Sequence, residues 1–145
     1  MSRKVSKIFQ QSGVIPYRIQ NGRIEVLLIT TRDRQRWVIP KGGISNGMSP
    51  HDSAAKEAWE EAGVMGQVNI NELGIYKYRK RGNIYQVKMY LLAVVMVSED
   101  YPEASQRQRQ WLELSKAIAQ IQTAALKHIF QSFFQTELFD YASKP

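Results

Sequence analysis

Three glutamates, Glu57, Glu60 and Glu61, stand at i, i+3 and i+4 in the segment Lys56-Glu57-Ala58-Trp59-Glu60-Glu61-Ala62-Gly63-Val64. On a helix turning about 100° per residue they share one face. Ala55, Ala58, Trp59 and Ala62 fall on roughly the opposite face, so the helix can pack on a sheet and turn its glutamates outward. Like charges one turn apart repel by about 0.3 kcal/mol per pair. Glu60 and Glu61 also lie near the helix C-terminus, where the dipole disfavours anions. A hard divalent cation would relieve both costs, since Mg²⁺ takes oxygen ligands, keeps several waters and bridges to phosphates. The preceding run, Gly42-Gly43-Ile44-Ser45-Asn46-Gly47-Met48, is rich in glycine and would let backbone groups come close to such a cation and to phosphates. A bare Glu-x-x-Glu-Glu is equally the pattern of a solvated acidic face, so the flanking residues have to decide.

The elements that must position these groups follow from pattern. Ser12 to Ile19 and Ile24 to Thr31 read as strands joined by Asn21-Gly22, a strong hairpin-turn signal. Trp37-Val38-Ile39 is a short strand, and Pro40 to Pro50 reads as a loop. His51 to Ala62 is the helix, with Gly63 placed to stop it. Gln67 to Arg81 and Ile84 to Ser98 read as two long strands joined by a Gly82-Asn83 turn, and Arg109 to Leu114 as one more. Leu114, Ala117, Ile118, Ile121, Ala125, Ile129 and Phe133 recur at three- and four-residue steps, which predicts a helical segment over about 115–136. Strands, one helix, more strands and a helical tail argue for an α/β fold, a mixed sheet with helices packed on it.

Composition sets the outer limits. A chain of 145 residues with 43% apolar content has the size and core of a single domain, expected over 1–145. With no cysteine there is no disulfide framework, Cys-zinc site or Cys nucleophile, which is compatible with a reducing cytoplasm. The start is basic but no long apolar run follows it, so no secretory signal of the usual kind is expected. The longest apolar stretch, Tyr90 to Val97, falls far short of the ~20 residues a membrane helix needs. The net charge of +7 favours anionic partners, or serves solubility alone.

Residues 42 to 64 resemble the Nudix box: Gly, five residues, Glu, seven residues, Arg-Glu, an apolar residue, any residue, Glu-Glu, any residue, Gly, an apolar residue. Gly42 opens it, Gly63-Val64 closes it, and Glu57, Glu60 and Glu61 fall on its three strongest carboxylates. Met48 stands where the box usually has Glu, and Lys56 where it has Arg. Lys cannot hold a carboxylate bidentately as Arg does. Softer matches at Trp37 to Gly43, Tyr76 to Arg81 and Arg107 to Trp111 are similar to the branch with diphosphoinositol polyphosphate and diadenosine polyphosphate hydrolases.

The resemblance implies an α/β/α sandwich with a mixed sheet. It implies a Mg²⁺ or Mn²⁺ pyrophosphohydrolase that cleaves a phosphoanhydride bond of a nucleoside, dinucleoside or diphosphoinositol polyphosphate by attack of an activated water. Glu57, Glu60 and Glu61 would be catalytic and hold the metal with Gly42. Arg32, Lys41 and Gly43 would lie near the phosphates, and Glu103 is the candidate for a fourth carboxylate, with Glu99 and Asp100 as competitors. Lys77-Tyr78-Arg79-Lys80-Arg81 places four cations beside a turn. Alternation puts Lys77, Arg79 and Arg81 on one face, to hold a polyphosphate or an RNA 5′ end, or simply to guard a sheet edge. RNA 5′-end pyrophosphohydrolysis and non-catalytic nucleotide binding are the alternative functions. His51 and His128 are not spaced for a metal and read as a helix-start and a surface residue. Phe130, Phe133, Phe134, Leu138 and Phe139 read as core, or as a homodimer contact.

Overall fold

In the computed structural model, which describes residues 7–133, those residues form eight strands and three helices. β1 (Ile8–Gln20) and β2 (Arg23–Thr30) are a hairpin turning on Asn21-Gly22, whose φ values of 53° and 75° are those of the mirror-image turn that suits twisted strands. β3 (Trp37–Val38) and β4 (Lys41–Gly43) follow, then α1 (Pro50–Ala62), β5 (Val64–Val68), β6 (Gly74–Lys80), β7 (Asn83–Val97) and β8 (Arg109–Glu113). The described residues end in α2 (Leu114–Gln120) and α3 (Ala124–Phe133).

The strands make one mixed sheet in the order β3-β2-β1-β7-β5, with β4 on β1, β6 on β7 and β8 on β2. β1 and β7 are its spine and pair in parallel from Ile8↔Ile84 to Tyr17↔Ala93, while the other pairings are antiparallel. Each sheet face carries its own core. On one, Val14, Leu27, Ile29, Tyr90 and Leu92 pack against Ala54, Ala58 and Ala62 of α1. On the other, Ile15, Val26, Leu28, Met89 and Leu91 pack against Ala117 and Ile121, and against Leu126, Ile129 and Phe130 of α3. Helix, sheet and helices thus form the α/β/α sandwich.

Several boundaries differ from the sequence reading. Lys41 to Gly43 is not loop but a strand, because β1 runs on to Ile8 and offers it a partner. Gln67 to Arg81 divides into β5 and β6, since Asn69 accepts a hydrogen bond from the Asn71 amide (3.0 Å) and turns the chain. The following turn sits one residue earlier, on Arg81-Gly82. The helical tail breaks between Gln120 and Ala124, and Ala125 is exposed while Leu126 is buried. Phe130 is core, His51 starts α1 and His128 is exposed. Phe134, Leu138, Phe139, the helix expected over 134–136 and the Phe133 side chain lie outside what is described.

β5 docks on β7 through a bulge at Met65/Gly66. A Cβ at Gly66 would overlap the Ala93 carbonyl, which is backbone and cannot swing aside. Gly66→Ala is therefore expected to cost about 2 kcal/mol of stability, the range of overpacked cores. Urea titration checks this, and an unchanged midpoint would mean that this pairing is loose.

Candidate active site

α1 is delimited by its own sequence. The Ser49 side chain accepts from the Asp52 amide (3.1 Å), Pro50 occupies the first turn, and Gly63 ends the helix at φ 67°, returning its amide to Ala58 and Trp59. No basic residue lies in its last turn, but Arg109 of β8 supplies one across space. It donates to the Ala62 carbonyl (2.8 Å) and spreads over the Tyr101 ring at 4.7 Å. A cation thus sits at the negative end of the helix dipole, beside its acidic face.

The helix does not turn all three glutamates outward. Its buried stripe is Ala54, Ala58 and Ala62 together with Glu61, which is only 8% exposed, whereas Ala55 and Trp59 are half-buried. The Glu61 carboxylate accepts from the Lys41 amide (3.2 Å) and faces the Arg107 guanidinium at 4.0 Å. Glu57, half-buried, lies against Gly42, where a Cβ would overlap its carboxyl group, and is within hydrogen-bonding reach of Glu61. Gly42 is held in place by pairing with Ser12 of β1. Glu60 turns away to Lys56 (3.7 Å), which also reaches the Ser45 hydroxyl (3.3 Å). The lysine at the box's usual arginine position therefore serves Glu60 and Ser45.

Glu103 closes the site from the loop after β7. Its amide donates to the Glu60 carbonyl (3.0 Å), and its carboxylate accepts from Arg107 (3.0 Å) and Arg32 (3.3 Å). Arg107 donates further to the Thr30 carbonyl (3.1 Å). Arg32 stands at the rim with a largely exposed guanidinium, and Gly43 is exposed at the end of β4. Lys41 donates its amide to Glu61 and carries its ammonium over the Tyr78 ring at 5.0 Å, where Glu61 is the charge that bears most on it. Arg79 and Arg81 are not brought here. Tyr76, Tyr78 and Lys80 share the face of β6 toward Lys41, Arg79 takes the other face, and Arg81 is in the turn. Arg107, Arg36 and Lys80, none of them among the site residues expected from the sequence, all bear electrostatically on Lys41.

Burial pushes the Glu61 carboxyl up to about 8, with Glu57 adding to the rise and Arg107 opposing it. Burial, then Glu60, raises Glu57 as well. Burial lowers Lys41, reinforced by Lys80, Arg107 and Arg36 and opposed by Glu61. A buried and a half-buried carboxyl group that both resist ionisation, oxygen donors only and a glycine that leaves them room fit a hard divalent cation. As the side chains stand, no three acids or histidines among the described residues converge on one point. The fit is thus to Glu57, Glu61 and backbone, with the remaining positions left to water and phosphate, as Mg²⁺ sites commonly are.

The raised Glu61 has a signed consequence. A carboxyl whose folded pKa exceeds its unfolded value of 4.5 stabilises the fold when protonated, and that stability is lost as pH rises toward about 8. In a chelating buffer, the wild-type melting temperature is expected to fall across that window relative to Glu61→Gln. Parallel curves for the two proteins would show that Glu61 ionises in the fold without penalty.

The sequence model of the NUDIX domain matches residues 10–133. The chain belongs to the Nudix family. Nudix hydrolase 21 (chloroplastic) of Arabidopsis thaliana is 35% identical over 130 residues, covering 86% of this chain and 65% of that protein. Diphosphoinositol polyphosphate phosphohydrolase 2 of Rattus norvegicus is 34% identical over 101 residues, covering 68% and 55%. This Nudix chain thus spans less than two thirds of the length of these curated relatives. Among solved structures, a C. elegans Ap4A hydrolase superposes with a TM-score of 0.72 at 25% identity, covering 88% of this chain and 97% of that one. No helix of the described residues is long and apolar enough to cross a membrane.

Proposed function

We propose that this Nudix chain is a metal-dependent pyrophosphohydrolase, one domain working in the cytoplasm, that cleaves a phosphoanhydride bond in a polyphosphorylated small molecule. The observation that carries this reading is the pairing of Glu57 and Glu61 beside Gly42, bordered by Lys41 and Arg107. A carboxylate pair on one side and guanidinium and ammonium groups on the other match the two needs of phosphoryl chemistry, a cation site and neutralisation of phosphate charge. Glu57, Glu61 and the Gly42 backbone would hold Mg²⁺ or Mn²⁺, with Glu60 and Glu103 next to them. When bound, the cation supplies Lewis-acid stabilisation of phosphate oxygens and activation of water. Lys41, Lys80 and Arg36 would take the phosphates beyond the reacting one, and Arg32 would meet them at the rim. The rat relative's name, a diphosphoinositol polyphosphate phosphohydrolase, and the Ap4A hydrolase of C. elegans support substrates rich in phosphate.

The test is incubation of the protein with Mg²⁺ or Mn²⁺ and a panel of diphosphoinositol polyphosphates, dinucleoside polyphosphates and nucleoside di- and triphosphates, with product identification. Phosphate or phosphomonoester release is expected. Tight binding without turnover of any compound would make the chain a non-catalytic nucleotide-binding module instead. A second reading, action on an RNA 5′ end, is favoured by the exposed side chains of Lys77 and Arg79, which share one face of β6. RNA affinity that stays flat as salt rises would sink it, because phosphate contacts are salt-dependent.

A further inference from the structure

Three rings stand in one row across the sheet on the side of α2 and α3. Phe9 of β1 is opposite Tyr85 of β7 in parallel register, and Tyr85 is opposite Tyr78 of β6 in antiparallel register. Their planes are nearly parallel: Phe9 and Tyr85 lie 5.2 Å apart at 21°, Tyr85 and Tyr78 5.0 Å apart at 11°. Each end of the row carries an ammonium, Lys7 at 5.3 Å over Phe9 and Lys41 at 5.0 Å over Tyr78. The Tyr78 hydroxyl donates to Gln11 (2.8 Å), which fixes the ring across the neighbouring strands. Tyr78 is therefore stacked, hydrogen-bonded and covered by a cation at once.

Lys41 needs such a hold. Its side chain is half-buried, and Lys80, Arg107 and Arg36 repel the ammonium while Glu61 alone attracts it among the charges that bear most on it. A flexible four-carbon stem in that field would swing outward unless something held its tip. An aromatic face attracts an ammonium without neutralising it, so the charge stays available to an incoming anion.

We propose that Tyr78 is a positioning residue which, backed by Tyr85 and Phe9, holds the Lys41 ammonium toward the phosphates, and that its ring is not a platform for a substrate base. The site then reads the phosphate chain and is indifferent to the base attached to it. This rests on the pyrophosphohydrolase reading, and the test separates the two.

The probes are dinucleoside tetraphosphates bearing adenine, guanine or uracil, and inorganic tripolyphosphate, which has no base. Wild-type kcat/KM is expected to agree within about threefold across the three bases. Tyr78→Leu should raise KM by about tenfold for every probe, tripolyphosphate included, with kcat changed less than about threefold. Tyr78→Phe keeps the ring and should restore KM to within about twofold. A KM rise confined to the base-bearing probes would mean that Tyr78 stacks on a base and would overturn the proposal, as would an unchanged KM in Tyr78→Leu. Should Tyr78→Leu melt early, Tyr85→Leu removes the backing ring and is expected to shift KM in the same direction. Its failure to do so, in a folded protein, counts against the proposal.

If the wild type turns over no probe, the pyrophosphohydrolase reading fails, and tripolyphosphate binding to the metal-free protein decides about Tyr78. Lys41→Ala and Tyr78→Leu should each weaken it by about tenfold, and the double variant no further, as for two residues acting as one. Additive losses would overturn the positioning role.

Discussion

Replacing Glu61 by Gln is expected to lower turnover by at least ~10²-fold, about 2.7 kcal/mol of transition-state stabilisation. The substitution keeps the shape of the side chain and its ability to accept from the Lys41 amide, and removes the negative charge that a hard cation needs. The fold should survive it. Glu61 is buried beside Glu57 and is reluctant to ionise there, so the neutral amide is expected to leave the metal-free protein as stable as the wild type, or more so. Turnover and metal-free melting temperature measured on one preparation separate the possibilities. Near-normal turnover would remove Glu61 from the site. Lost turnover in an unfolded protein would make it structural.

The second large effect is on stability. Arg107→Met is expected to destabilise the protein by about 3 kcal/mol, as when one partner of a buried ion pair is deleted. The Arg107 side chain is 12% exposed and serves three acceptors on separate elements: Glu103, the Thr30 carbonyl and, at 4.0 Å, Glu61. Methionine fills the volume and removes the guanidinium from all three, although Glu103 keeps Arg32 at the rim and Glu61 keeps the Lys41 amide. Lysine should recover only part of the loss, since a point charge cannot fork to several acceptors. Because the guanidinium and Glu103 act together, Glu103→Gln combined with Arg107→Met should cost less than the two losses added. Chemical denaturation of the four proteins measures this coupling, and strict additivity would show that the 3.0 Å contact does not link them.

The glutamate face of α1, its cap at Gly63 and the turn at Asn21-Gly22 were legible because each rests on neighbours a few residues away. Which glutamate is buried was not legible. Positions 57, 60 and 61 are equivalent by helical spacing, and only the packing of Ala58 and Ala62 on the sheet rotates Glu61 inward and leaves Glu60 to Lys56. The basic hairpin shows the same limit. Alternation correctly separated Lys80 from Lys77 and Arg79, but which side of β6 faces Lys41 is set by β7 and β1, far off in sequence. Arg107 stood in a segment that resembled the family branch, but its role was not legible, because two of its partners, Thr30 and Glu61, lie far off in sequence and only Glu103 is local. The strand at Lys41 to Gly43 escaped for a related reason. Glycine-rich sequence reads as loop, and only the long β1 beside it makes a strand of it.

The parallel spine of β1 and β7 bears on how fast such a molecule can assemble. It joins Ile8 to Ile84 and Tyr17 to Ala93, so about half of the chain must be spanned before the first of these pairs can form. Contacts of that separation carry the loop-closure entropy that slows folding, whereas the β1–β2 and β6–β7 hairpins and α1 can form locally and early. β4 rests on β1, and Gly42 is set against Glu57 only when β4 is in place. The cation and phosphate groups of the site are therefore expected to come together in the last kinetic phase. Refolding followed through a substitution in the spine, such as Val87→Ala, should show slower recovery of metal affinity with little change in the early helical signal.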